Sequence, residues 1–238
     1  MSRSVVERGA VRCGKCLLPT RWCVCGGLRP VDCPVPVDVL MHRREFRRPT
    51  STGRLIQRVM PDSRIYVHGD GTPLSREGVV RAGRTLWILH PGGELPPPST
   101  ELGPLQVLVL DGSWTEAGRM RRVVEPWGRL IRLPADLPPS RYGLRQQPTA
   151  GMFSTVEALV ILLALLGWGD AATQLRIQFE LHVYAGLRSR GAVAAAEAFL
   201  AGSLLPTALP ECLSALTERR RVGKGPLDSG TVEPAARG

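Results

Sequence analysis

The stretch that most constrains the fold is Leu105 to Leu110, an almost wholly apolar run rich in branched side chains, followed at once by Asp111-Gly112-Ser113-Trp114. The run does not alternate polar with apolar positions, so it reads as a strand buried on both faces. Asp111-Gly112 ends it, and Ser113 opens a helix. Ser113 with Glu116 three residues on spells a capping box, in which each side chain satisfies an orphan backbone N–H of the other residue. The pattern sets a carboxylate at the carboxyl end of a central strand, beside a helix N-terminus. Ligands sit there in open α/β sheets. On local grounds a plain reading stands beside this one, because Asp and Gly also make ordinary strand-to-helix turns.

Other short apolar runs surround this one. Val37 to Met41, Arg64 to His68, Thr85 to His90 and Gly128 to Leu133 read as further strands, the third ending at Pro91-Gly92-Gly93. Helices are expected from the Thr50-Ser51-Thr52 cap to about Met60, from Ser113, from Thr155 to about Leu166, over Asp170 to Arg188 and over Ala192 to Leu200. Strands alternating with helices predict an α/β domain with a mainly parallel sheet flanked by helices. The helix after Thr155 is apolar nearly all round and should be deeply buried. Ser154 and Glu157 spell a second capping box, which accounts for Glu157 as well as a functional carboxylate would. Gly92-Gly93 is no dinucleotide fingerprint.

Before the sheet, Cys13-Gly14-Lys15-Cys16 and Cys23-Val24-Cys25 form two close pairs a short distance apart. Each pair can supply two thiolates from one tight turn, as tetrahedral zinc requires, although the second pair is one residue shorter than a ribbon or knuckle has. Four thiolates fill the coordination shell, so such a zinc is structural; four reduced cysteines without metal are the plain alternative. Cys33 and Cys212 receive no role. The expected organisation is a cysteine-rich module and linker at 1–36, a catalytic domain at 37–215 and a basic, unstructured tail at 216–238.

The 238 residues carry 31 Lys and Arg against 21 Asp and Glu, a formal charge of +10. That surplus favours a polyanionic partner. Aromatics make up only 5%, so stacking platforms for single strands are scarce. The first residues are polar and charged, which argues against a signal peptide. The longest apolar run, Val156 to Trp168, falls short of a bilayer span. These features lead us to expect a cytoplasmic protein with reduced cysteines and no membrane association. Composition does not decide the oligomeric state, for which a monomer is slightly favoured.

Asp111-Gly112-Ser113-Trp114 resembles the Asp-x-Thr-Trp signature of the DTW-domain family, with Ser113 in place of the usual Thr and the hydroxyl retained. Three further stretches follow the family's order. They are the cysteine cluster with Pro19 and Leu28, the basic box Pro49-Thr50-Ser51-Thr52-Gly53-Arg54-Leu55, and Ser154-Thr155-Val156-Glu157-Ala158 after the Arg-rich loop Arg141 to Pro148. Together these cover most of Cys13 to about Leu187. The family is similar to the SPOUT class of RNA-modifying enzymes and is known as tRNA-uridine aminocarboxypropyltransferases. The resemblance implies a SPOUT-like domain, with a C-terminal knot that periodicity alone could not reveal. It also implies S-adenosyl-L-methionine as donor and tRNA as partner.

In the implied reaction, uridine N3 attacks the methylene carbon next to the sulfonium, and methylthioadenosine leaves. Asp111, Ser113 and Trp114 are the expected catalytic residues. Asp111 is either a general base, raised in pKa by burial under Trp114 and the sheet edge, or an anchor for the methionine amino group. Thr50, Ser51, Thr52, Leu89, His90, Pro91, Asp111, Trp114, Leu133, Leu144, Ser154 and Thr155 are expected to hold the donor. Arg43, Arg44, Arg47, Arg48, Arg54, Arg141 and Arg145 stand at three loop edges and would form a phosphate-binding rim if those edges converge. Two other classes stay open: a SPOUT-like RNA methyltransferase, and a zinc-containing RNA-binding protein without catalysis.

Overall fold

The structure, a computed structural model, describes residues 10–97, 103–145 and 151–218. Strands β1 (Val37–His42), β2 (Ile65–His68), β3 (Thr85–Glu94), β4 (Leu105–Asp111) and β5 (Arg129–Ile131) form one sheet in the order β2-β1-β4-β3-β5, every pairing parallel. The helices are α1 (Gly53–Val59), α2 (Arg76–Val79), α3 (Trp114–Val124), α4 (Thr155–Leu165), α5 (Gly169–Ser189), α6 (Val193–Leu200), α7 (Leu205–Ala208) and α8 (Pro210–Glu218).

The apolar run is the central strand. Leu105 to Val109 are all buried, between β1 (Val37↔Val107, Met41↔Asp111) and β3 (Thr85↔Leu105, Leu89↔Val109). Side chains alternate across a sheet. Leu105, Val107 and Val109 therefore enter the larger core with α1, α4 and α5, while Leu108 enters a smaller one with Met120 and Val124 of α3. Asp111 shares the parity of Val109 and faces α1 and α4. His42, at the end of β1, shares the parity of Leu40 and faces α3.

The cysteine-rich segment packs into the same core as the sheet, since Cys16, Leu18, Trp22 and Val24 belong to the larger apolar cluster. β3 runs past Pro91-Gly92-Gly93 to Glu94, which pairs with Ile131 across an irregularity in the β5 ladder. Helices α7 and α8 extend the chain beyond the elements read from the sequence, and α8 buries Leu216. Of the expected unstructured tail, residues 216–218 lie in α8 and 219–238 lie outside the described residues. No helix among the described residues is long and apolar enough to cross a membrane.

Candidate active site

Asp111 is buried and fixed on both oxygens. Ser51 Oγ donates to Oδ2 at 2.6 Å, and Thr155 Oγ1 donates to Oδ1 at 2.6 Å. Ser51 comes from the turn before α1 and Thr155 from the first turn of α4. Burial raises the carboxyl's pKa above the ordinary Asp value; the Ser51 and Thr155 hydrogen bonds pull it down, Glu45 adds to the rise and Arg145 opposes it. The two hydroxyls and the start of α1 at Gly53 lie against the carboxyl, while Trp114, 39% exposed, lines the same cleft.

Asp111 borders a cleft of about 560 Å³ at the carboxyl ends of the strands. Leu89, His90 and Pro91 of β3, Val109 to Asp111 of β4 and Arg132 to Pro134 after β5 line it, with Thr50 to Thr52, Ser113, Trp114, Tyr142, Arg145, Ser154 and Thr155. Both capping boxes form. Glu116 N–H donates to Ser113 Oγ and Ser113 N–H to Glu116 Oε2, and the same exchange joins Ser154 and Glu157. Glu157 also accepts from Ser140 Oγ and from the Arg141 backbone N–H, so it shapes the loop that carries Tyr142. Tyr142 is buried, which pushes its phenol up to about 12, and its hydroxyl donates to the Thr50 carbonyl.

All the residues expected to hold the donor line this cleft except Leu144, which packs against Gly186. Of the seven arginines, only Arg48 and Arg145 reach it. Arg43 and Arg47 are exposed, and Arg44 lies 3.8 Å from Glu116. Arg54 donates to the carbonyls of Phe46 and Lys15. Arg141 turns away to the Phe199 carbonyl and Glu180. Sequence reasoning gave no part to Glu45, and named Gly53 only within the basic box, without its contact with Asp111. Glu45 is 1% exposed and paired with Arg48 and Arg145. Its only sequence signal is that it is the one acid in an Arg-rich run. His42 Nδ1 meets Glu116 Oε1 at 3.0 Å on the α3 face. Burial lowers the pKa of that imidazole, against the pull of Glu116.

The four N-terminal cysteines meet in space. Their Sγ atoms lie within 4.8 Å of one another, with Cys13–Cys25 at 3.5 Å and Cys16–Cys23 at 3.8 Å. Tetrahedral zinc at about 2.3 Å from each sulfur needs sulfurs about 3.8 Å apart, so the donor set fits a metal ion. Backbone N–H groups of Cys16 and Lys15 bring the Cys13 thiol down to about 6. Arg58 Nη2 donates to Cys25 Sγ at 3.0 Å, which ties α1 to the cluster.

The fold and the site define a parallel α/β protein with a cleft at its strand ends, bordered by a buried carboxyl group, and a cysteine cluster able to hold a metal. The chain belongs to the DTW domain family, whose model matches residues 10–185, a span that takes in the cysteines, Asp111 and Thr155. Among curated proteins it is similar to tRNA-uridine aminocarboxypropyltransferase 2 of Mus musculus, 29% identical over 176 residues. It is also similar to the proteins of the same name from Macaca fascicularis, at 25% over 169 residues, and Drosophila melanogaster, at 27% over 168. Each match covers 65% of this chain; it covers 56% of the two mammalian proteins and 66% of the fly one. The chain thus spans about half the length of the mammalian relatives. No solved structure matches it.

Proposed function

We propose that the protein is a tRNA-uridine aminocarboxypropyltransferase that moves the 3-amino-3-carboxypropyl group of S-adenosyl-L-methionine to N3 of a uridine. The observation that carries this reading is Asp111, a buried carboxylate of raised pKa, held by two hydroxyls beside a cleft of about 560 Å³. The names of the relatives supply the reaction class. A cleft of that volume is in the range that seats small-molecule ligands. Uridine N3 gives its proton to the Asp111 carboxylate and forms a bond to the methylene carbon next to sulfur. The carbon–sulfur bond breaks with its electron pair going to sulfur, and neutral methylthioadenosine leaves. An ordinary carboxylate is a poor base for this proton, and burial strengthens it. In the same reading the four cysteines hold a structural zinc, and the protein acts on tRNA in the cytoplasm. The SPOUT-like knot belongs to it too, as the family resemblance implies.

The test is incubation of the purified protein with S-adenosyl-L-methionine and bulk tRNA, followed by mass analysis of the nucleosides. The expected product is uridine carrying the aminocarboxypropyl mass, with methylthioadenosine released. Asp111→Asn should cut turnover at least about 100-fold while donor binding falls less. A methyl-mass product would make the protein a methyltransferase, and unaltered turnover in Asp111→Asn would remove Asp111 from the chemistry.

A further inference from the structure

Glu45 is a buried charge that the reaction above leaves unused. It accepts from two guanidiniums at once: Arg48 Nη1 at 2.6 Å, and Arg145 through Nη1 at 3.2 Å and Nη2 at 2.5 Å. One cation would neutralise the carboxylate, so two leave the cluster one positive charge in excess. Both arginines line the cleft. The Arg48 side chain is 48% exposed and that of Arg145 31%, so both remain open to an anion entering the cleft.

Thr50 completes the group. Its Oγ1 accepts from Arg145 Nε at 2.8 Å and Nη2 at 2.6 Å. A hydroxyl that accepts twice still has its own proton to donate. The next residue, Ser51, donates to Asp111, so one turn hydrogen bonds both to Arg145 and to the Asp111 carboxylate. The charges act on one another, Arg145 holding the Asp111 pKa down and Glu45 pushing it up. The wall thus offers an anion site next to an acid, inside a cleft. Arg43 and Arg47 are exposed as Arg48 is but lie outside the cleft lining, where an RNA phosphate reaches them without entering the cleft.

We propose that Arg48, Thr50 and Arg145 form a subsite for the carboxylate of an α-amino-acid headgroup, the end of the donor that is transferred. This rests on the donor reading above and adds selectivity to it. Three carbons on the sulfonium are electrophilic, and gripping the far end of one arm decides which of them faces the nucleophile. Arg145 spends its fork on Glu45 and Thr50 and adds charge, whereas Arg48 holds Glu45 through Nη1 and has Nε and Nη2 to match a carboxylate in two parallel hydrogen bonds, which lysine cannot do.

The experiment measures binding, by calorimetry, of S-adenosyl-L-methionine and of decarboxylated S-adenosylmethionine, which keeps every group but the carboxylate. Wild type should bind the former about 10- to 100-fold tighter, the worth of a hydrogen bond to a charged group. Arg48→Gln, which leaves Glu45 paired with Arg145 and removes the surplus cation, should bind the two compounds alike. Thr50→Val should lose part of the preference, and serves if Arg48→Gln does not fold. Equal binding of the two compounds by wild type overturns the proposal. So does an Arg48→Gln variant that keeps its preference but loses tRNA affinity, which would make Arg48 a phosphate contact. If wild type binds neither compound, the donor reading fails, and this subsite with it.

Discussion

Gly53 approaches Asp111 more closely than any side chain could. A Cβ there would lie 2.7 Å from Asp111 Cγ and 2.8 Å from its Cβ and Oδ2. Alanine in place of glycine within a helix ordinarily stabilises by about 0.5–1 kcal/mol. Here the sign should reverse, because the space belongs to the carboxyl group. Gly53→Ala is expected to destabilise by about 1–3 kcal/mol, the usual cost of overpacking, and to displace Asp111 so that turnover falls. Denaturant unfolding and the transfer assay read the two effects separately. Asp111 itself makes a prediction of opposite sign. Its folded pKa is raised by burial. Its contribution to stability is therefore fully present below the unfolded Asp value and is lost as pH rises through the folded one. Asp111→Asn should unfold at a higher temperature than wild type at pH 8, with the gap closing as pH falls toward the ordinary value of 3.8. A wild type more stable than Asp111→Asn at pH 8 would mean that burial does not strain this carboxylate, and the base would lose its physical footing.

At the level of elements, the glutamate of the second capping box holds more than a helix end. Glu157 accepts from Ser154 N–H in the box, and from Ser140 Oγ and Arg141 N–H in the loop before it. Glu157→Ala orphans all of these donors, so it should cost more than the ~1 kcal/mol of a lost cap, about 1–3 kcal/mol for each buried group left unpaired. Tyr142 follows directly on that loop and supports Thr50. The same variant should therefore weaken donor binding, which calorimetry would detect; a change in stability alone would confine Glu157 to capping. The box was legible in the sequence because its signal spans four residues, and so were β4 and α3, written in one unbroken run and one Ser–Glu pair. The pairing of Glu45 with Arg145 was not, because 100 residues separate them and nothing local marks either one. Asp38 was hidden for the same reason: inside a strand that reads as apolar, it is buried against Arg81 and Gln106, each from a different segment. Only two of the seven arginines expected at a rim line the cleft, because charge in sequence does not fix direction. Arg141 follows the Phe199 carbonyl and Arg54 the Lys15 carbonyl, both away from the cleft. Pattern located the elements that bear the cleft, while the polar partners across it needed three-dimensional closure.

For the whole molecule, the cysteine segment and the cleft are two ends of one mechanical unit. Helix α1 joins them, with Gly53 against Asp111 at its start, Arg54 on the Lys15 carbonyl and Arg58 on Cys25 Sγ a turn later. The segment's own apolar residues, Leu18, Trp22 and Val24, lie in the core shared with β1 and α5. If metal holds the four cysteines, removing it frees the thiolates around Arg58 and loosens that shared core. Chelation should then lower the midpoint of a single unfolding transition by several degrees, at about 2–4 °C per kcal/mol for a domain of this size. It should also weaken donor binding through α1. Scanning calorimetry with and without a strong chelator, with metal content measured alongside, decides the matter. Two separated transitions, the earlier one alone responding to chelator and donor affinity unchanged, would show a module that melts by itself and has no mechanical hold on Asp111. A single shifted transition, restored by added zinc, would show that the N-terminal cluster sets the stiffness of the element on which Asp111 rests.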